Sequence, residues 1–276
     1  GTLVDMKDVE PDADLLQEFK TDYDAVYAFV REEIAYSQAT MRSRDAFFGP
    51  SSFVDLIHRI QLGLTDADVS FAAPLSMDTE IREGSIYVSD MFKLYKYENF
   101  LYTMRLTGKE IKDFLEYSYE IWTNRMQSPD DHLLFIEPNS RGEGYRFRNA
   151  SYNFDSAAGI SYTVDVTQPA GEKITISPVM NNGKPFDMNA EYRVAINSYR
   201  GNGGGGHLTD GVGIALDRLD ERIIESTPVD LRYYMMQWMK NEKDIRPEII
   251  TDWKFIPEAW TQPAAERDRH LLFVDK

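Results

Sequence analysis

Residues 191–207 read EYRVAINSYRGNGGGGH, and this stretch decides how the rest of the chain is interpreted. Apolar residues at Tyr192, Val194 and Ile196 alternate with others, which predicts a strand over 191–199. Five of the next six positions, 201–206, are glycine, so the backbone there can approach a ligand closely. An aromatic ring beside bare backbone, as at Tyr199, is a suitable platform for a flat ring. We therefore expect a ligand-binding loop after the strand.

Two other interpretations of the glycine loop stay open at this point. The first is a tight turn with no ligand, which composition alone favours. Gly201, Gly203 and Gly206 also match G-x-G-x-x-G, the pattern of a dinucleotide-dependent oxidoreductase. That pattern requires a long helix from Gly206, and residues 209–213 (TDGVG) interrupt any such helix. The loop lacks the G-K-[ST] ending of a phosphate-binding P-loop.

Hydrophobic periodicity predicts helices that alternate with strands. Predicted helices cover 15–34, 52–64, 89–95, 107–122 and 214–224, with another opening at Thr227 and Pro228. Predicted strands cover 68–75, 100–106, 160–166, 173–179, 191–199 and the region of 253–255. Residues 127–155 are polar and irregular, and we interpret them as an excursion from the core. Interleaved helices together with hairpins indicate an α/β fold with mixed sheets.

Composition excludes several classes of function. The 276 residues include 30 Lys and Arg against 46 Asp and Glu, a net charge of −16, which argues against a nucleic-acid polymer as partner. A single small nucleotide remains compatible with this charge. No apolar run is long enough for a transmembrane helix. The chain has no cysteine, so it forms no disulfide, thiolate nucleophile or cysteine-ligated zinc site.

Few residues are candidates for chemistry. The four histidines lack metal-ligand spacing, and only His207, which closes the glycine loop, is a candidate general base. No G-x-S-x-G nucleophile motif is present. Tyr97 falls between a predicted helix and a predicted strand. A loop aromatic with no periodic reason for burial is a good ligand candidate.

Six motifs occur along the chain in an order that is similar to that of a known protein family. They are ADVSFAAP (67–74), IYVSDMF (86–92), YEN (97–99), RLTGKEI (105–111), DSAAGISY (155–162) and YRVAINSY (192–199) with the glycine loop. In this order they resemble the C-terminal, substrate-recognition domain of the 5'-nucleotidase family. The branch they resemble more closely is that of the 2',3'-cyclic-nucleotide 2'-phosphodiesterases.

The resemblance implies a fold and a ligand site. The expected architecture is a layered α/β/β/α domain with mixed sheets, with residues 1–40 as an interdomain docking helix and 41–276 as the nucleotide-recognition domain. The nucleoside base would be clamped between Tyr97 and Tyr199, and Asn202, Gly203 and Gly204 would border it. Stacking of this kind contributes about 1–3 kcal/mol per base.

The resemblance also implies where catalysis takes place. Such enzymes hold divalent metal ions in an N-terminal metallophosphatase domain, and no segment of this sequence offers its ligands. We therefore expect no catalytic residue, metal site or cofactor in this chain, and no hydrolysis by it alone. Its partner would be that metallophosphatase domain, either in the same full-length chain or as a separate subunit. The expected location of the protein is the periplasm, the outside of the cell or the cell surface. The alternative is a stand-alone nucleotide-binding protein without hydrolase activity.

Four positions depart from the pattern of plain 5'-nucleotidases. Asp78 stands where an arginine is usual, Gly205 replaces an aspartate, and both stacking rings are Tyr where Phe is common. These changes favour a cyclic or 3'-nucleotide substrate. Arg42 or Arg44 is a candidate replacement for the missing positive charge.

Overall fold

The computed structural model describes residues 1–140 and 142–273. Its helices are α1 (Ala13–Glu18), α2 (Lys20–Val30), α3 (Ser52–Leu64), α4 (Met91–Leu94), α5 (Gly108–Trp122), α6 (Ser198–Gly201), α7 (Leu231–Glu242) and α8 (Glu258–Leu272). Its strands are β1 (Glu33–Ser37), β2 (Met41–Arg42), β3 (Val69–Ala72), β4 (Glu80–Ile81), β5 (Gly84–Tyr87), β6 (Leu101–Thr107), β7 (Ile136–Pro138), β8 (Tyr145–Phe147), β9 (Ser156–Ala158), β10 (Ser161–Asp165), β11 (Ile174–Ile176), β12 (Glu191–Asn197), β13 (Ile223–Ser226), β14 (Asp244–Ile245) and β15 (Asp252–Ile256).

A five-stranded sheet, in the order β13-β6-β12-β3-β9, lies at the centre. It is mixed, because β12 runs parallel to β3 and antiparallel to β6. Alternate residues of β12 serve two separate cores: Val194 and Ile196 pack in one, and Ala195 packs in the other. Side chains of successive strand residues point to opposite faces, so both faces of this sheet are buried.

The layers follow from these two cores. One core joins the central sheet to α5 and to the sheet β11-β10-β15, and the other joins it to α3, α7 and the sheet β14-β1-β5. The prediction of an α/β fold with mixed sheets, layered as helices and sheets, is confirmed.

Capping residues fix where two central helices begin. Ser51 accepts a hydrogen bond from the backbone N–H of Phe53, and α3 covers the predicted residues 52–64. Thr107 and Glu110 form the predicted capping box at the start of α5. Helix α5 begins directly after β6 of the central sheet, so its cap also fixes where the chain leaves that strand.

Four sequence predictions are wrong. The helix expected to open at Thr227 and Pro228 begins instead at Leu231, with Asp230 as its cap. The single helix over 15–34 is two helices that end at Val30, because β1 pairs with β5 and β14 and buries Ile34. The helix over 214–224 is replaced by short turns and by β13, which pairs with β6. Residues 127–155 are no excursion, because Phe147 and Phe154 lie in the first core.

The helices α1 and α2 differ from the rest of the fold. Neither contains a buried residue. Their apolar residues Leu15, Phe19, Tyr23 and Val26 are all more than half exposed. The domain division predicted at residue 40 stays a prediction.

Candidate functional site

Strand pairing brings the two predicted ring residues to one edge of the central sheet. The register of β6 and β12 runs from Thr107 opposite Glu191 to Leu101 opposite Asn197. Tyr97, which precedes β6, and Tyr199, which follows β12, therefore leave the sheet at the same end. Next to this end, the backbone N–H of Ser198 donates to the carbonyl of Phe100 at 2.8 Å. The two ring-bearing segments are thus linked directly.

A cleft of about 230 Å³ opens at this edge. We call it the edge cleft. Its walls are Leu75, Tyr97, Asn99, Tyr152, Asn197 and Tyr199. The rings of Tyr97, Tyr152 and Tyr199 are each about two-fifths exposed, at 38%, 38% and 43%. Three partly exposed tyrosines around one concavity form a surface that suits a flat aromatic ligand.

The polar residues of the edge cleft are held in place from below. The Asn99 amide donates to the hydroxyl of buried Tyr95 at 3.3 Å. Burial raises the pKa of Tyr95, so this hydroxyl stays protonated at neutral pH. Asn197 caps α6, accepting from the backbone N–H of Arg200 at 3.0 Å. The amides therefore have fixed positions, which favours directional contact with a ligand edge.

A buried ion pair supports two walls of the cleft. The guanidinium of Arg200 donates to one oxygen of Asp155 at 2.9 and 2.7 Å, and both side chains are 1% exposed. The same guanidinium donates to the carbonyls of Gly204 at 2.9 Å and Tyr152 at 2.7 Å. Arg200 thereby joins the glycine loop to the segment that carries Tyr152.

The glycine loop packs behind Tyr199. A Cβ on Gly204 would lie 2.5 Å from Cε2 of Tyr199, so only glycine fits against this ring. Gly203 faces the side chains of Leu216 and Leu219. Asn202, Gly203 and Gly204 are not among the residues that line the edge cleft. Their predicted contact with the base stays a prediction.

His207 is enclosed by the same cluster. Its ring is fully buried, with the nitrogens 3.2 Å from the Gly205 carbonyl and 3.0 Å from the Asn153 carbonyl. Burial, together with the charge of Arg200, lowers the pKa of His207 to about 4. The ring is held neutral and out of reach of a ligand in the edge cleft, which does not suit a general base.

The structure does not support a dinucleotide-binding loop. After Gly206 the chain forms only the five-residue helical turn His207–Gly211, whereas that motif opens a long helix. The interpretation as a dinucleotide-dependent oxidoreductase is therefore wrong, because the long helix that it requires directly after Gly206 is not formed by the described residues.

Within residues 1–140 and 142–273, no three His, Asp or Glu side chains come together as a possible metal site. We assign no metal-dependent step to these residues. Nor does any helix in the described part of the chain have the length and apolar character needed to cross a bilayer.

A second, wider cleft of about 840 Å³ adjoins the first one. Its walls include the cations Arg44, Lys93 and Lys96 and one acidic residue, Asp78. The Lys96 ammonium lies 5.0 Å from the centre of the Tyr97 ring, so the two clefts meet at residues 96 and 97. Arg44 pairs with Asp78 at 3.9 Å and Lys93 pairs with Asp90 at 2.7 Å, which leaves Lys96, without an ion pair among the described residues, as the cation of this cleft that favours an anionic ligand group.

Comparison with known proteins identifies the family. The family described as "5'-nucleotidase, C-terminal domain" matches residues 29–210, more than half of the chain. This chain belongs to that family. A 2',3'-cyclic-nucleotide 2'-phosphodiesterase/3'-nucleotidase of Salmonella typhimurium is 28% identical over 89% of this chain and 41% of its own length. The trifunctional nucleotide phosphoesterase protein YfkN of Bacillus subtilis is 30% identical over 72% of this chain and 14% of its own length.

Solved structures show the same fold for this 5'-nucleotidase C-terminal domain. A 5'-nucleotidase precursor from Thermus thermophilus matches with a TM-score of 0.61 and 21% identity, over 88% of this chain and 44% of the other. The NAD nucleotidase of Haemophilus influenzae matches with a TM-score of 0.57 and 16% identity, over 88% and 41%. The chain thus spans less than half of each relative that it matches here.

Sequence reasoning found two of the six walls of the edge cleft and missed the others. The sequence marks Asn99 only as part of the YEN motif and Asn197 only as part of a predicted strand. Tyr152 lies in a segment interpreted as irregular. The argument that singled out Tyr97, an aromatic in a loop without periodic cause for burial, applies equally to Tyr152 and would have found it.

Proposed function

We propose that this chain is the nucleotide-recognition domain of a nucleotide hydrolase, of the 5'-nucleotidase or 2',3'-cyclic-nucleotide 2'-phosphodiesterase/3'-nucleotidase type. The base stacks between Tyr97 and Tyr199. The observation that carries this proposal is the edge cleft, where three tyrosines and two fixed amides meet at one sheet edge. The family membership and the names of the curated relatives support the substrate class.

Catalysis, in this proposal, comes from a metallophosphatase domain outside this chain, which binds the divalent metals. The chain covers less than half of each matched relative, which leaves length for such a domain. The exposed apolar residues of α1 and α2 supply a surface against which it packs. This chain alone binds the nucleotide without hydrolysing it. The relatives' family supports a periplasmic or secreted location.

Replacing Tyr97 and Tyr199, singly and together, tests whether their rings clamp the base. We expect the parent protein to bind adenosine and 3'-AMP, and each of Tyr97→Ala and Tyr199→Ala to weaken binding by about 5- to 150-fold, because each removes a stacking contact of about 1–3 kcal/mol. The double variant should show no binding by isothermal titration calorimetry. Tyr36→Ala is the control, since Tyr36 is 47% exposed on β1 and lines neither cleft. A folded parent that binds neither ligand contradicts the proposal.

The positive charge of Lys96 at the second cleft predicts that this chain binds nucleotides more tightly than nucleosides. We expect 3'-AMP to bind more tightly than adenosine at low salt, because a phosphate next to the stacked base lies close to Lys96. Lys96→Gln should reduce this preference by up to about 5-fold, since a single exposed charge contributes at most about 1 kcal/mol. Added salt should have the same effect on the parent. Lys109→Gln on α5 is the control, and equal affinities of the parent for both ligands would refute the role of Lys96.

A further inference from the structure

Tyr152 is the aromatic wall of the edge cleft that the proposed clamp of Tyr97 and Tyr199 does not use. It lies in the short helical turn Ser151–Asn153, and its ring is 38% exposed. The ring centre is 6.3 Å from that of Tyr97, and the two planes make an angle of 77°. The two rings are therefore in contact and nearly perpendicular.

The backbone of this turn is fixed although the ring is exposed. The Tyr152 carbonyl accepts from buried Arg200 at 2.7 Å, and the next carbonyl, of Asn153, lies 3.0 Å from buried His207. Core packing explains neither the exposure of the ring nor its place in the cleft. An aromatic side chain on a rigid anchor at a cleft wall loses little entropy when a ligand binds, which suits a contact residue.

The angle decides how Tyr152 can meet a ligand. A base stacked on Tyr97 lies parallel to that ring, and hence nearly perpendicular to Tyr152. The Tyr152 ring cannot stack on the same base and instead contacts it edge-to-face, a favourable geometry for aromatic pairs. A bicyclic purine extends farther from the sugar than a monocyclic pyrimidine does, so it fills this contact while a pyrimidine leaves a gap.

We propose that Tyr152 contacts the edge of the bound base and makes the edge cleft select purines over pyrimidines. This inference rests on the proposed nucleotide-recognition function. It assigns base selectivity to one ring, contributed by a chain segment remote in sequence from both Tyr97 and Tyr199.

The test compares adenosine with cytidine by calorimetric titration. We expect the parent to bind adenosine more tightly, and Tyr152→Ala to weaken adenosine binding by about 2- to 12-fold, the worth of one edge-to-face aromatic contact. Cytidine affinity should stay within about twofold, which is below the effect of even a weak edge-to-face contact. Tyr152→Phe should keep the parent's selectivity because it keeps the ring. Tyr152→Leu should lose selectivity while filling the space, which separates the ring from mere bulk.

Each outcome has a defined meaning. A parent that binds both nucleosides equally overturns the inference without any variant. A Tyr152→Ala protein whose ratio of adenosine to cytidine affinity equals that of the parent also overturns it. In either case the proposed clamp stands if Tyr97→Ala weakens nucleoside binding. A folded parent that binds no nucleoside overturns the proposed function and this inference together. Circular dichroism of each variant establishes that it is folded before titration.

Discussion

Replacing Asp155 with leucine lowers the free energy of unfolding by about 3–5 kcal/mol, because it leaves the guanidinium of Arg200 buried without its charged partner. Both side chains are 1% exposed, so water cannot take the place of the lost carboxylate. Arg200→Leu should have a similar effect, since it strands the carboxylate of Asp155. Urea unfolding followed by tryptophan fluorescence measures both changes.

The double variant Asp155→Leu, Arg200→Leu separates charge from packing. It should be less destabilised than the sum of the single variants, because no unpaired buried charge remains. The control is Glu191→Gln, which removes the exposed pair with Arg105 at 3.6 Å and should cost no more than about 1 kcal/mol. Losses near 1 kcal/mol in the Asp155 or Arg200 variants would show that the buried pair does not support the fold.

Acidification should destabilise the protein well above the pH at which carboxylates are protonated. Burial lowers the pKa of His58 to about 3, and burial with the charge of Arg200 lowers that of His207 to about 4, from an ordinary value of 6.5. Below pH 6.5 the unfolded chain binds protons at these sites and the folded chain does not. The contribution of these two histidines to stability is therefore full above pH 6.5. It falls as the pH drops, by about 1.4 kcal/mol per pH unit for each histidine, where unfolded imidazoles are largely protonated.

The measurement is the free energy of unfolding between pH 5 and 6.5. Asp55 and Asp268, whose pKa values burial raises from 3.8, contribute with the opposite sign, so the histidine variants are needed to isolate the histidine contribution. His58→Gln and His207→Gln should each remove about half of the pH dependence, whatever their effect on stability itself. His270→Gln, at an exposed position, should leave the slope unchanged. A free energy that is flat over this window contradicts the assignment.

Local signals in the sequence determine the elements that were predicted well. Helix α3 begins and ends where its cap and apolar stripe indicate, and the Thr107–Glu110 box opens α5. The strand before Tyr199 also follows from residues adjacent in sequence, although it ends at Asn197 and Tyr199 lies in α6. These features depend on contacts within a few residues, which a single sequence displays directly.

The errors arise where distant residues decide the outcome. Ile34 continues the apolar spacing of a helix, yet it lies in β1 because two other strands pair with it. Residues 223–226 pair with β6, which no local pattern shows. Phe154 stacks on Trp122 at 5.5 Å and carries the supposed excursion into the core. Tyr152 belongs to that segment and lines the cleft with it. The sequence therefore fails to show Tyr152 as a wall for the same reason that it fails to show the segment as part of the core.

The pairing of β6 with β12 has a consequence for how the protein acquires its cleft. The rings of Tyr97 and Tyr199 are brought together by strands that lie far apart along the chain, and Tyr152 arrives from a third segment between them. Long-range pairing of this kind is slow to form, because a large loop must close before any contact compensates its entropy. The cleft therefore has no partly folded precursor made by one segment alone. Competence to hold a ligand arises together with the closure of the central sheet.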